Sequence, residues 1–135
     1  MTDVVSYDSD IRTLVLDSSL EIEALLANRR RSGIDRFDEV REGVLHLVPA
    51  TNYQHGRIAQ QLLLLFLDPA REVGLEVFMQ PFNLGAGIRD FRVPDGALFP
   101  AGTDGLWFTT APMVVEIVST HDQSWEKLPF FGKAA

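Results

Sequence analysis

Cysteine is absent from the 135-residue sequence, and histidine occurs only three times. Without cysteine the protein has no disulfide bonds, no thiolate metal ligands and no cysteine nucleophile, and nothing in its composition indicates an oxidising compartment. Three histidines at scattered positions also disfavour a histidine-rich zinc site. These two shortages exclude several common kinds of metal and nucleophilic chemistry.

Long apolar segments are missing as well. The longest apolar run, LLLLFL at 62–67, is far shorter than the roughly 20 residues that a membrane-spanning helix needs. The N-terminus, MTDVVSYDSD, is acidic and polar, whereas a secretory signal begins basic and becomes apolar. The sequence therefore predicts a cytoplasmic protein with no membrane association.

Lysine is almost missing from this acidic chain. Ten of the twelve basic residues are arginine, and the two lysines, Lys127 and Lys133, lie among the last nine residues. The net charge of −7 argues mildly against a nucleic-acid partner, because phosphate binding normally relies on a clustered positive surface. Lysine provides a compact, movable ammonium group that arginine cannot imitate, so a retained lysine is of interest.

The composition that remains is that of one folded domain. A hydrophobic fraction of 46% with 23% charged residues is typical of a globular protein with a single modest core. Residues 1–16 show no firm periodicity, and we expect them to be partly disordered. Residues 17–135 contain no repeat or linker and are predicted to form a single domain.

Local signals predict the first elements. Ser18 and Glu21 have the spacing of a capping box and indicate a helix over 19–31. Alternation on both sides of Glu42-Gly43 predicts a hairpin of two antiparallel strands between 36 and 48. The hairpin should therefore follow the N-terminal helix directly.

Alternating helix and strand patterns continue to the end. Asn52 is expected to cap a long helix that Pro69 bends or ends. Its predicted buried face comprises Ile58, Leu62, Leu65 and Phe66. Strands are predicted at 75–79, 91–99 and 113–118, with loops at Gly85 to Gly87 and at 102–105. Asp122 should cap a last helix, short or kinked at Pro129, so the fold class is α/β or α+β.

Two carboxylates interrupt the predicted strands. Asp95 follows a proline within RVPDGALFP, and Glu116 lies within the β-branched run PMVVEIVST. A buried carboxylate is costly unless a cation or hydrogen bonds compensate it. The sequence therefore raises the question of which partner these two acids share.

The order of these motifs resembles a known family. Pro94-Asp95, followed 21 residues later by an acid in an apolar strand, resembles the PD-(D/E)XK nuclease pattern. EGVLHLVP, His55 at a helix start, RVPDGALF, PMVVEIVS and DQSWEKLPFF are similar to the Uma-type restriction-endonuclease-like family over residues 36–135. The resemblance implies a restriction-endonuclease-like core of helix, three strands and helix, preceded here by an N-terminal helix and a β-hairpin.

The resemblance also implies a chemistry. It implies a DNA endonuclease in which Asp95 and Glu116 bind Mg²⁺ or Mn²⁺ and Lys127 assists the attacking water during phosphodiester hydrolysis. By the same resemblance, Glu42 and His55 are additional candidates near the metal. From the residues alone, Glu42 is as well explained as an exposed turn residue and His55 as a packing or capping residue.

The chain departs from the superfamily pattern in two places. Ile117 and Val118 follow Glu116, so the expected lysine two residues beyond the acid is absent; Lys127 either replaces it or is an ordinary solvated side chain. The family fold has one more strand after the last helix, whereas this sequence ends at Ala135. We therefore expect a truncated chain or a partner that supplies the strand, with a homodimer or poor solubility as the result.

Other residues offer weaker signals. His46 is expected to face solvent, His121 to belong to a helix cap, and Ser119 lacks the context of a nucleophile elbow. Trp107 and Phe108 are expected in a strand or sheet-covering segment, with base stacking as a further role.

Three functions remain open at this point. The first is the metal-dependent nuclease. The second is a catalytically degenerate or truncated relative that acts as a binding or oligomerisation module, and the third is an unrelated domain whose acids pair with Arg92 or Arg89.

Overall fold

The computed structural model describes residues 5–8, 11–14, 20–48, 52–118 and 124–134, which form three α-helices and ten β-strands of a mixed α+β fold. The helices are α1 (Leu20–Ser32), α2 (Tyr53–Glu72) and α3 (Ser124–Ala134). The strands are β1 (Val5–Asp8), β2 (Ile11–Leu14), β3 (Glu39–Arg41), β4 (Val44–Leu47), β5 (Leu75–Phe78), β6 (Asn83–Gly87), β7 (Asp90–Arg92), β8 (Gly96–Pro100), β9 (Trp107–Phe108) and β10 (Met113–Val115). A 3₁₀ turn, Ile34–Phe37, follows α1.

The strands are divided between two sheets. The larger sheet has the order β1-β2-β4-β3-β7-β6-β9, in which β6 and β9 are parallel and the other neighbours antiparallel. The smaller sheet is antiparallel in the order β10-β8-β5. Six described strands therefore lie between α2 and α3, where the sequence predicts three.

The strand predicted over 91–99 is two strands. β7 belongs to the larger sheet and β8 to the smaller one, because the chain crosses between the sheets at residues 93–95. The loop predicted at Gly85 to Gly87 is also wrong, since both glycines belong to β6. Gly85 has a φ of 159°, and an added Cβ would meet the carbonyl oxygen of Asp90 at 2.4 Å, so only glycine allows β7 to approach this closely.

Helix α2 begins as predicted but packs differently. The side chain of Asn52 caps it by accepting a hydrogen bond from the backbone N–H of His55 at 2.9 Å, and the helix continues through Pro69 to Glu72. Of the predicted buried face, Ile58 and Leu65 are exposed and Leu62 and Phe66 are half-buried. The fully buried position is Ala70, because the helix packs against β5.

The main core joins the two sheets to α3. Phe82, Leu84, Ala97, Phe99, Ala111, Phe131 and Ala134 form its buried cluster. Edge-to-face contacts such as that between Phe82 and Phe99, with ring centroids 5.4 Å apart, fill it without voids between large rings. The backbone N–H of Ala111 donates to the carbonyl of Ala134 at 3.1 Å, so α3 is attached at its C-terminal end.

The N-terminal half contains the predicted helix and hairpin. Glu42 and Gly43 form the turn between β3 and β4, and α1 covers the predicted range within a residue. Strands β1 and β2, which the sequence does not predict, extend the same sheet within residues 1–16. The predicted caps Ser18 and Asp122 lie outside the described residues.

A buried ion pair attaches α1 to the hairpin. Arg29, the first of three successive arginines, is buried, and its Nε donates to Asp38 at 3.0 Å while its second terminal nitrogen donates to the carbonyl of Val48 at 3.1 Å. Burial raises the pKa of Asp38, and the hydrogen bond from Arg29 opposes that rise. Arg29 therefore attaches the C-terminal end of α1 to the hairpin, and as a cation in the last turn it also interacts favourably with the helix dipole.

Candidate active site

Strand register brings the two predicted acids together. In the antiparallel pair of β8 and β10, Val115 lies opposite Gly96. Because the strands run in opposite directions, the residue after Val115 and the residue before Gly96 come next to each other, and these are Glu116 and Asp95. Glu116 follows β10 directly and does not lie within a strand, unlike the prediction. The backbone N–H of Ile117 donates to Asp95 Oδ2 at 2.7 Å, which fixes one carboxylate beside the other.

Lys127 reaches these acids from α3. Phe131, one turn further along the helix, is buried in the core, and residues four apart share a helix face, so Lys127 points inward as well. Its Nζ lies 3.2 Å from both carboxylate oxygens of Glu116 and 2.8 Å from Oε1 of Glu39. The side chain of Lys127 is 11% exposed, which excludes its interpretation as an ordinary solvated lysine.

Glu39 is the site residue that the sequence analysis missed. It is 1% exposed, and besides Lys127 its Oε1 accepts from the backbone N–H of Val93 at 2.9 Å. Its Oε2 accepts from Nε and a terminal nitrogen of Arg41 at 2.9 and 2.8 Å, since alternate residues of β3 share a face. An acid inside a predicted strand was the available signal, the same signal that singled out Glu116.

The structure separates the two additional candidates. His55, in the first turn of α2, has its Nε2 2.9 Å from Oδ1 of Asp95 and so belongs to the group. Glu42 lies exposed at the hairpin turn with a φ of 49°, and its backbone N–H donates to Asp90 at 3.1 Å. Glu42 is therefore an exposed turn residue outside the group, and the buried acid of this hairpin is Glu39. We call Glu39, Asp95, Glu116, Lys127 and His55 the acid–lysine cluster.

Burial and neighbouring charges act differently on the two acids that contact Lys127. Burial raises the pKa of Glu116 to about 7; Lys127 opposes the rise, and the carboxylates of Asp95 and Glu39 add to it. Burial also acts to raise the pKa of Glu39, but Lys127 and Arg41 outweigh it and the pKa is lowered. For Lys127, burial would lower the pKa, but Glu39 and Glu116 outweigh it and the pKa is raised. The site therefore favours a charged Lys127 and a charged Glu39, and it favours the protonated form of Glu116 more than water does.

The metal-ligating side chains of the site are few. Within the ranges that the structure describes, no three His, Asp or Glu side chains come together in a group that could hold a metal ion. Asp95 and Glu116 nevertheless provide two neighbouring carboxylates, and Mg²⁺ commonly binds to one or two carboxylates with water completing its shell. The oxygen donors of these two residues fit such an ion.

The remaining sequence candidates lie elsewhere. Among the described residues, Arg92 donates to Asp90 at 2.8 Å and to the carbonyl of Val40 at 3.0 Å, and the exposed Arg89 belongs to none of the ion pairs, so neither arginine is found paired with the two acids. His46 is half-buried on β4, unlike the expectation that it faces solvent. Trp107 and Phe108 form β9, while Ser119 and His121 lie outside the described residues.

Fold and cluster together define a mixed α+β protein with a buried carboxylate–lysine site at the junction of two sheets. No protein-family model, curated protein or solved structure matches the chain. Along the described helices, none is long and apolar enough to span a bilayer.

Proposed function

We propose that the acid–lysine cluster is the active site of a metal-dependent nuclease that hydrolyses phosphodiester bonds in DNA. The observation that carries the proposal is geometric: Asp95 lies beside Glu116 at the end of β10, and Lys127 donates to Glu116 in the same partly buried site. The resemblance of the same residues to the PD-(D/E)XK pattern supports it. So does the chain order α2, β5, β8, β10 and α3, in which the three strands form one sheet.

Each residue of the cluster has a role in this proposal. Asp95 and Glu116 would hold Mg²⁺ or Mn²⁺, which supplies, when bound, a more acidic water and charge stabilisation at the phosphate. Lys127 places an ammonium group beside Glu116, where it can orient a water molecule and stabilise negative charge on a phosphate oxygen. His55 fixes Asp95 through its imidazole, and Glu39 fixes Lys127. Arg41 in turn holds Glu39.

Cleavage of supercoiled plasmid with Mg²⁺ or Mn²⁺ tests the proposal. Asp95→Asn, Glu116→Gln and Lys127→Met should each lower the cleavage rate by at least about 100-fold, because each removes a group that acts on the reacting phosphate or its metal. Glu76→Gln, which changes an exposed carboxylate of β5 in the same way, should cleave at the wild-type rate. Circular dichroism verifies the fold of each variant. Undiminished cleavage by folded Asp95→Asn would refute the assignment.

A second function is favoured by one contact. That contact is the 2.8 Å bond from Lys127 to Glu39, which lets the cluster serve as an internal ion-pair network in a binding or oligomerisation module without catalysis. The two functions differ in their response to metal. A module of this kind would neither cleave DNA nor bind Mg²⁺ at the cluster, and calorimetric titration of the wild type with Mg²⁺ or Mn²⁺ distinguishes them.

A further inference from the structure

Helix α2 presents an apolar patch to solvent. Leu64 and Leu65 are adjacent in sequence, and each is 67% exposed. The opposite side of the helix packs against β5, with Ala70 buried and Leu62, Leu63 and Leu67 half-buried. Most of the surface of both leucines is uncovered by the described residues, so their apolar side chains are accessible to a partner.

Polar residues of opposite character flank the two leucines, a cation on one side and acids on the other. With 100° per residue, an outward stripe along α2 comprises Arg57, Gln61, Leu64, Leu65, Asp68 and Glu72, all of them exposed. A cation lies at one end of the stripe and two acids at the other. Asp68 and Glu72 are four residues apart, a spacing at which like charges destabilise a helix, and neither acid belongs to the ion pairs found among the described residues.

We propose that this stripe is the interface of a homodimer in which two copies of α2 pack antiparallel about a twofold axis between Leu64 and Leu65. Reversing the stripe about that midpoint places Leu64 against Leu65 of the second copy and Gln61 against Asp68. Arg57 then faces Glu72, each about 11 Å along the helix from the axis. The four leucines form the apolar centre, and two Arg57–Glu72 pairs close its ends.

The same features favour a second copy of this chain over other partners. An isologous interface requires a surface that is complementary to itself when rotated, and the order of cation, amide, two leucines and two acids meets that requirement. A helix that lies on an anionic membrane has lysine and arginine along its polar face, whereas this stripe ends in Asp68 and Glu72. The incoming Arg57 relieves the repulsion between those two acids.

Charge reversal tests the register of the dimer. By sedimentation equilibrium, the wild type should be a dimer that dissociates on dilution. Arg57→Glu and Glu72→Arg should each raise the dissociation constant by about tenfold or more, because each converts two attractive pairs into repulsive ones. The double variant with both reversals should recover most of the affinity, since the pairs are restored with opposite polarity. Leu65→Glu should give a monomer.

Matched controls separate the interface from net charge. Arg89→Glu and Glu76→Arg make the same charge changes at exposed positions outside the stripe and should dimerise like the wild type. Circular dichroism verifies that each variant is folded. A wild type that is monomeric at every concentration would overturn the proposal. So would a dimer that is insensitive to the single reversals, or a double variant that is no tighter than the singles.

Discussion

At the scale of single residues, Glu116 carries the strongest consequence for stability. Its raised pKa, about 7 against an ordinary value of 4.5, means that the folded protein binds the proton more tightly than the unfolded chain does. The resulting stabilisation is complete below about pH 4.5 and is lost as the pH rises through 7. The charges that face Glu116 are Lys127, Asp95 and Glu39.

The free energy of unfolding should therefore fall between pH 4.5 and pH 7 in the wild type, and this fall should be smaller in Glu116→Gln. Glutamine cannot lose a proton, so its contribution to stability does not change over that range. The fall in the free energy of unfolding between pH 4.5 and pH 7 should therefore be up to about 3 kcal/mol larger in the wild type than in the variant. Urea unfolding at several pH values measures the difference. Glu76→Gln, which removes an exposed carboxylate outside the cluster, serves as the control. Parallel pH profiles for wild type and Glu116→Gln would contradict the assignment.

Two acids of the cluster could be predicted from the sequence, and a third could not. Asp95 and Glu116 stand out because each is an acid beside an apolar strand, and the register of β8 with β10 makes them neighbours. Glu39 escaped notice because its partners, Val93 and Lys127, lie 54 and 88 residues further along the chain. A local pattern contains no information about such distant partners. Glu42, three residues beyond Glu39 at the hairpin turn, is assigned to the site instead.

At the scale of elements, one contact connects β7 to α3. The guanidinium carbon of Arg92 lies 4.3 Å from the centre of the Phe130 ring, while a terminal nitrogen donates to the carbonyl of Val40. The Nε of Arg92 is buried without a hydrogen-bond partner among the described residues, so the ring face adds to the compensation that Asp90 and the backbone carbonyls give this cation. Phe130 is three residues beyond Lys127, and the contact therefore helps to fix the helix that carries the lysine.

Phe130→Leu should destabilise the protein by about 1 to 3 kcal/mol, because it removes the ring face from a buried guanidinium and leaves a small cavity. Phe130→Tyr keeps the ring and should stay close to the wild type. Equilibrium urea unfolding measures both variants. A leucine variant as stable as the tyrosine variant would show that the arginine–ring contact contributes nothing.

Elements with local signals agree with the prediction, and elements that depend on distant pairing do not. The turn at Glu42-Gly43 and the cap at Asn52 are set by neighbouring residues, and both are present. β6 depends on its pairing with β7 and with the distant strand β9, so a sequence pattern could not separate it from a loop. Leu65, one of the two outward leucines of α2, is predicted on a buried face because periodicity identifies apolar residues but not their partner.

At the scale of the whole molecule, net charge and proposed substrate oppose each other. A chain of charge −7 repels DNA, and the acid–lysine cluster adds further carboxylates at the proposed site. A divalent cation at Asp95 and Glu116 would reverse the sign of the local field where the phosphate must lie. The affinity for DNA should then be governed by the cation more than by the surface of the protein.

DNA affinity should accordingly be at least about tenfold higher with Ca²⁺, an oxygen-binding cation used here as a binding probe, than with EDTA. Asp95→Asn should lose this difference. Fluorescence anisotropy with a labelled duplex measures it, and the dependence on monovalent salt should be shallow, since few basic side chains contact phosphate. Tight binding in EDTA with a steep salt dependence would instead indicate a basic surface as the DNA site. In that case DNA would bind away from the acid–lysine cluster, and the carboxylates of the cluster would serve only as ion-pair partners of Lys127.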